Sequence, residues 1–269
     1  MSLWTLRGLG QGIATTDWPE KAGGDHSQQD TLGMPRISAE RCNESCRSCD
    51  EVCPTQAIRL DTRGHLASLD YGRCIACQLC VEACPSGTLQ ASSEWAYGVR
   101  ERADLQWSLD PGAPLAGEKL AAHIEKSFRG SLHIRHVDAG SCNGCESELQ
   151  ALNNPFYNLH RLGIFFTASP RAADLLLVTG TVTAAMREPL LATWQAMPEP
   201  RRVLACGTCA VSGGVCGNTY ASGVGLDGVL PVDIWLPGCP PNPAAIIEAL
   251  LLLLERKPQR VKGGVLHEP

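Results

Sequence analysis

Long hydrophobic runs are missing from this sequence. The most apolar stretch, Ala244–Leu254, is broken by Glu248 and falls far short of the roughly 20 residues a membrane-crossing helix needs. Charge of one sign is also scarce. A net charge of −5, with no acidic or basic tail, gives no footing for nucleic acid, which is not expected as a partner. Aromatics are few at 5%, but hydrophobic residues at 44% suffice for a packed core. The opening Met1–Arg7 has one Arg and no apolar core, so no secretory signal is read there. The seven histidines show no ligand spacing, and no role is assigned to them.

What is abundant is cysteine, with 14 residues in tight groups. Disulfides would need an oxidising compartment, which nothing in the sequence indicates. Cysteines clustered in this way read as metal ligands.

A length of 269 residues allows two domains. Residues 1–35 form an N-terminal arm. Its apolar Leu3, Trp4, Leu6, Leu9 and Ile13 suit a short amphipathic helix. Basic residues are scarce there, which favours an arm packed on a partner over a membrane-surface contact. Residues 36–92 carry eight cysteines. Residues 93–130 read as a connector, broken at Pro111, Gly112 and Pro114 and followed by a helix over Glu118–Ser127.

From residue 131 to 256 short apolar runs alternate with helical stretches. Strands are expected at His133–Val137, Gly163–Thr167, Ala173–Thr179, Arg202–Cys206 and Val232–Leu236. Helices are expected from Glu146, over Ala184–Ala196, and over Pro243–Arg256, with Pro243 near a first turn. This alternation predicts an α/β fold, a flavodoxin-like parallel sheet with helices on both faces. A smaller α+β domain over the eight cysteines of residues 36–92 precedes it, and residues 257–269 read as a tail.

The first cysteine group is Cys42-x3-Cys46-x2-Cys49-x3-Cys53-Pro54. The second is Cys74-x2-Cys77-x2-Cys80-x3-Cys84-Pro85. The second matches the bacterial ferredoxin run; the first has one extra residue between its first two cysteines. Three close thiolates on one loop wrap three irons of a cubane, and the fourth ligand comes from the other run. Cys42, Cys46, Cys49 and Cys84 are therefore expected to hold one 4Fe–4S cluster, and Cys74, Cys77, Cys80 and Cys53 another. Zinc also takes cysteine tetrads, but two runs that each end in Cys-Pro favour iron–sulfur. The longer first loop either enlarges the site without losing a ligand or leaves a labile cluster.

Four further cysteines follow expected strands: Cys142, Cys145, Cys209 and Cys239. Ligands gather at strand carboxyl ends in open parallel sheets, so these four are expected to hold a third 4Fe–4S cluster, with neighbouring glycines allowing close approach of backbone. Cys206 and Cys216 remain and are read as small buried hydrophobes.

These residues resemble a known family. The segment from about Ser131 to Glu255 is similar to the small, proximal-cluster subunit shared by NiFe hydrogenases and complex I, the NADH-quinone oxidoreductase. It resembles most the energy-converting hydrogenases and formate hydrogenlyases. The motifs are Cys142-Asn143-Gly144-Cys145-Glu146, Ser169-Pro170-Arg171-Ala172-Ala173-Asp174 leading to Val178-Thr179-Gly180, Ala210-Val211-Ser212-Gly213-Gly214, and Pro237-Gly238-Cys239-Pro240-Pro241. Complex I subunits usually carry adjacent cysteines at the first of these; this chain has Cys-x2-Cys, as hydrogenases do. The N-terminal half resembles the ferredoxin-like subunit of the same complexes, with Gly12–Pro19 similar to its Gly-x-x-Thr-x-Tyr-Pro approach. The two subunits, normally separate, look fused here. Ala172 stands where relatives commonly have His.

The resemblance implies an electron-transfer subunit of an oxidoreductase complex. Its implied partners are a NiFe-hydrogenase-like large subunit, membrane subunits, and an external electron carrier or donor subunit. It implies a cytoplasmic location, peripheral on the inner membrane through partner subunits. Two alternatives stay open: the equivalent subunit of a nickel-free, complex-I-like quinone or sulfur-compound reductase, and a non-catalytic metal-binding or redox-sensing protein. Glu146 is either a proton relay or a carboxylate stabilised at a helix N-terminus. Arg171 either faces a partner or caps a loop.

Overall fold

A computed structural model of the chain describes residues 3–11, 19, 31–38, 42, 45–109 and 131–267. The expected helix over Glu118–Ser127, the break at Pro111–Pro114 and most of Gly12–Pro19 lie outside the described residues.

The N-terminal unit contains α1 (Leu3–Gln11), β1 (Arg36–Ile37), α2 (Ser48–Glu51), β2 (Ile58–Leu60), β3 (Leu66–Asp70), α3 (Leu79–Glu82), β4 (Leu89–Gln90) and β5 (Gln106–Ser108). Its two halves repeat one plan. Each cysteine run ends in a single helical turn, α2 carrying Cys49 and α3 carrying Cys80, and both cysteines are buried. β1 and β4 pair antiparallel, as do β2, β3 and β5 in that order. No residue of α1 is buried, and Leu3, Trp4, Leu6 and Leu9 are all exposed.

The second unit contains β6 (Leu132–Asp138), α4 (Gly144–Ala151), β7 (Ile164–Phe166), β8 (Leu175–Thr179), α5 (Ala184–Gln195), β9 (Arg202–Cys206), α6 (Thr208–Ser212), β10 (Ile234–Leu236), α7 (Pro243–Leu253), β11 (Val261–Lys262) and β12 (Val265–Leu266). The strand order is β10-β9-β8-β6-β7, and every pair is parallel. This is the doubly wound order of flavodoxin-like sheets. β8 is wholly buried, as a central strand covered on both faces must be.

Side-chain alternation sorts the sheet into two faces. Leu175, Leu177, Leu204, Cys206, Ile234 and Leu236 pack with Leu149 of α4 and with α7. α7 is apolar almost all round, which marks it as buried. It starts at a proper cap, the Asn242 side chain accepting the Ala245 N–H at 2.8 Å, with Pro243 in the first turn.

Leu176, Val178, Val203, Ala205 and Trp235 point the other way. They pack with Leu190 of α5 and Val211 of α6, and in the same apolar cluster with Leu69, Tyr97, Val99 and Leu105. One core therefore runs from the sheet into the N-terminal unit. Val99 and Trp235 also bond backbone to backbone in both directions, at 2.9 and 2.8 Å.

Residues 93–109, expected within a connector, are thus packed structure. So is most of the expected tail. β11 and β12 form a hairpin around Gly263 and Gly264, Val261 is fully buried, and Gln259 Nε2 donates to Asp104 Oδ2 at 2.7 Å. Among the described residues, no helix is long and apolar enough to cross a membrane.

Candidate metal centres

All fourteen cysteines are free of disulfides, and twelve of them lie in the three groups expected from spacing. In the N-terminal unit the influence of one thiol on another traces these groups. Burial raises Cys49 to about 11, and Cys42, Cys84 and Cys46 push it the same way. Burial raises Cys74 to about 12 despite the Ala76 amide, with Cys80, Cys53 and Cys77 adding to it. Cys80 is likewise pushed up to about 12 by burial, then by Cys53, Cys77 and Cys49. The fold thus brings Cys42, Cys46, Cys49 and Cys84 together, and Cys53, Cys74, Cys77 and Cys80 together. Cys84 is the exception in direction. Burial raises it, but the Leu89 amide, the Ser86 hydroxyl and the amides of Ser86 and Thr88 outweigh that and hold it below its ordinary value.

Local backbone explains how the loops aim their sulfurs. Ser45, Ala76, Gln78 and Asn143 all sit at positive φ beside cysteines, a conformation non-glycine residues adopt only when surroundings enforce it. Amides point at the sulfurs: Ala57 N–H at 3.3 Å from Cys53 Sγ, Leu66 N–H at 3.4 Å from Cys42 Sγ, and Ala76 N–H at 3.4 Å from Cys74 Sγ. Such donors suit the charged thiolates of a cluster and tune it. In the longer first loop, Ser45 N–H donates to Arg63 O at 2.9 Å.

Cys53, Cys74, Cys77 and Cys80 line one pocket together with Ile58 and Leu69. Among the described residues, no three His, Cys, Asp or Glu side chains converge as the ligands of a single metal ion would.

The sheet unit carries the third group on three loops at strand carboxyl ends. Cys142 and Cys145 follow β6, Cys209 follows β9, and Cys239 follows β10. Burial raises Cys145, helped by Cys206, Glu146, Cys209 and Cys239. Burial raises Cys209 to about 11, helped by Cys239, Cys216 and Cys142. Glycines leave the room these sulfurs need. A Cβ on Gly207, at φ +91°, would stand 2.6 Å from Cys145 Sγ, and one on Gly214, at φ +57°, would stand 2.8 Å from Cys209 Sγ. Cys239, itself raised by burial, is also raised by Cys142 and by Cys77 of the second group. The groups are near enough to act on one another, Cys49 on Cys80 and Cys77 on Cys239.

Cys206 is fully buried in the sheet, as expected. Cys216 is not: it is exposed and lies near Cys209. The expectation of burial fails because Cys216 follows the Gly213-Gly214 turn onto the surface, in a segment where Val215 and Tyr220 are also exposed.

Glu146 lies in the first turn of α4. Its carboxylate accepts from Ser141 Oγ at 2.8 Å and from Thr179 Oγ1, and Thr179 Oγ1 also meets His136 Nε2 at 2.9 Å. Neither this series of hydrogen bonds nor His136 is legible in the sequence, since strand and loop hydroxyls carry no spacing signal. Arg171 and Ala172 are exposed on a short 3₁₀ turn.

The doubly wound sheet with thiols at its strand ends, joined to a paired-run cysteine unit, defines an iron–sulfur protein. Residues 40–88 match the 4Fe–4S dicluster domain, and residues 142–253 match the family described as NADH ubiquinone oxidoreductase, 20 Kd subunit. Over 152 residues the chain is 41% identical to formate hydrogenlyase subunit 7 of Escherichia coli (strain K12), covering 55% of this chain and 60% of that protein. Over 151 residues it is 40% identical to a probable membrane-bound hydrogenase subunit of Pyrococcus furiosus, covering 56% of this chain and 90% of that one. A chain from the structure of an archaeal respiratory complex, the membrane-bound sulfane sulfur reductase, is 35% identical with a TM-score of 0.44, covering 49% of this chain and 72% of that one. The chain belongs to the family of the NADH ubiquinone oxidoreductase 20 kDa subunit, with a 4Fe–4S dicluster domain ahead of it.

Proposed function

We propose that this chain is an electron-transfer subunit holding three 4Fe–4S clusters, placed between a NiFe-type catalytic large subunit and an external electron carrier or donor subunit. The complex would be a membrane-associated hydrogenase or formate hydrogenlyase, with this chain on the cytoplasmic face of the inner membrane, held there by membrane subunits. The names of its relatives support this setting. So does Cys142-x2-Cys145, the hydrogenase form of the first motif.

The observation that carries the reading is the gathering of twelve thiols into three groups, with Thr208 beside Cys209 bonded to both the Cys74 and the Cys239 loops. In it, Cys42, Cys46, Cys49 and Cys84 hold the first cluster. Cys53, Cys74, Cys77 and Cys80 hold the second, and Cys142, Cys145, Cys209 and Cys239 hold the third, nearest the large subunit. A bound 4Fe–4S cluster gains or loses one electron at a potential that its hydrogen bonds and burial set. The residues around these sites supply those conditions: amides aimed at Cys42, Cys53 and Cys74, apolar walls at Ile58 and Leu69, and glycines that admit the third site's sulfurs.

The proposed domain limits are an arm over 1–35, a dicluster unit over 36–92, a connector over 93–130 whose residues 106–108 add a strand to the N-terminal unit, a sheet unit over 131–256, and a segment over 257–269 that carries the β11–β12 hairpin. Purifying the native complex anaerobically and assaying its metal tests the reading. About twelve irons per chain, nickel in the partner and hydrogen-linked dye reduction are expected. A complex without nickel would favour the quinone or sulfur-compound reductase instead.

Glu146 is proposed as a proton relay. It accepts two hydroxyl hydrogen bonds, and through Thr179 it connects to His136, the hydrogen-bonded continuity that moving a proton at a carboxylate oxygen requires. Glu146→Gln should lose turnover in the complex while keeping all its iron. Unchanged turnover removes the role.

A further inference from the structure

Thr208 is 1% exposed, and its hydroxyl both donates and accepts. Oγ1 donates to the Cys74 carbonyl at 2.9 Å and accepts the Gly238 N–H at 3.1 Å. Its own N–H donates to the Gly238 carbonyl at 2.9 Å. Thr208 precedes Cys209, Gly238 precedes Cys239, and Cys74 belongs to the dicluster unit. One hydroxyl therefore ties together three loops that each bear a thiol of the third or second group. The contact reaches across the chain to the other unit.

We propose that Thr208 is a positioning residue that fixes the second and third clusters relative to one another through its hydroxyl bridge between Cys74 and Gly238. This rests on the three-cluster reading given above. A threonine suits the task. Its β-branch leaves few side-chain rotamers, so the hydroxyl is held in place. Removing it strands a buried carbonyl and a buried amide at once. Groups that surround a metal site at one remove commonly set its geometry, and here the same group serves two sites.

The test uses the full chain, reconstituted anaerobically with iron and sulfide, as wild type, Thr208→Val and Thr208→Ser. Iron content is measured first. A wild type with markedly fewer than about twelve irons defeats the three-cluster reading on its own, before Thr208 is considered. With full iron, electron paramagnetic resonance of the fully reduced protein should show the second cluster broadened by both of its neighbours, the first and the third. Thr208→Val, close in shape but without the hydroxyl, should keep its iron and change the broadening between the second and third clusters while leaving that between the first and second, with the potential of the third cluster shifted. Thr208→Ser should restore both. A fully loaded Thr208→Val with wild-type broadening and potential overturns the proposal. If Thr208→Val does not load, Thr208→Ala carries the same comparison. Failure of both Val and Ala beside a normal Ser would show a requirement for folding in place of positioning, and would also overturn it.

Discussion

Cys209 and Cys216 lie near each other at the third site, one partly buried and one exposed. Only Cys209 follows a sheet strand at its carboxyl end, where the Cys142, Cys145 and Cys239 loops also meet. Cys209→Ser should therefore remove one cluster's share of iron and its resonance signal, leaving the other two. Cys216→Ser should leave iron content and spectra as they are. Loss of the third signal in Cys216→Ser would reassign the fourth ligand.

His136 carries a second prediction at this scale. Burial lowers its pKa below the ordinary 6.5, against the pull of Glu146 and Asp138 and with a smaller contribution from Arg135 in the same direction. The 3.7 Å approach of His136 Nε2 to Glu146 is then a contact of a neutral ring at neutral pH. The sign follows from linkage. Below 6.5 the unfolded chain takes the proton first, so stability falls as pH drops, until the folded pKa is reached; above 6.5 this group contributes nothing. His136→Gln should thus soften the loss of stability as pH falls below about 6.5, read as denaturation midpoints at neutral and progressively lower pH. An identical slope in wild type and variant would show that the imidazole is not held neutral.

At the scale of elements, α7 is the piece on which the sheet's second face depends. Leu250 is fully buried among the strands' inward side chains. Leu250→Ala should cost about 2–5 kcal/mol of unfolding free energy, and Asn242→Ala, which removes the cap on Ala245 N–H, about 1 kcal/mol. Both are read by chemical denaturation of the cluster-loaded chain, and equal small effects would show that α7 packs less tightly than its burial indicates.

α7 is also the easiest element to see in the sequence, because Asn242-Pro243 and the apolar run after it are local signals. The same holds for β8, a continuous Leu-Leu-Leu-Val run, and for the cysteine spacings. β3 and β5 are not legible. β3 buries Leu66 and Leu69, three apart, which breaks the two-residue rhythm of a strand, and β5 has only Trp107 as an apolar residue. The β11–β12 hairpin is two residues a side, and its Gly263-Gly264 turn is the one usable signal. Thr208 and the Val99–Trp235 pairing depend on which surfaces meet across the chain, which no local pattern encodes.

For the whole molecule, the continuous apolar cluster is the governing fact. Leu69, Tyr97 and Leu105 of the N-terminal unit share it with Val178, Val203 and Trp235 of the sheet. The N-terminal unit has little regular structure of its own, with strands of two to five residues and helices of one turn around its cysteines. Thiols pushed up to about 11 and 12 are protonated at neutral pH without metal, so cluster binding there displaces protons and supplies folding free energy that the bare unit lacks. Stripping the clusters should therefore loosen the N-terminal unit and expose the sheet face that Tyr97 and Val99 cover. The sheet should then melt at a lower temperature as well, in the same transition. Calorimetry of loaded and chelator-stripped full chain tests this. If the stripped protein instead keeps a sheet transition at the loaded temperature, the shared core does not couple the two units.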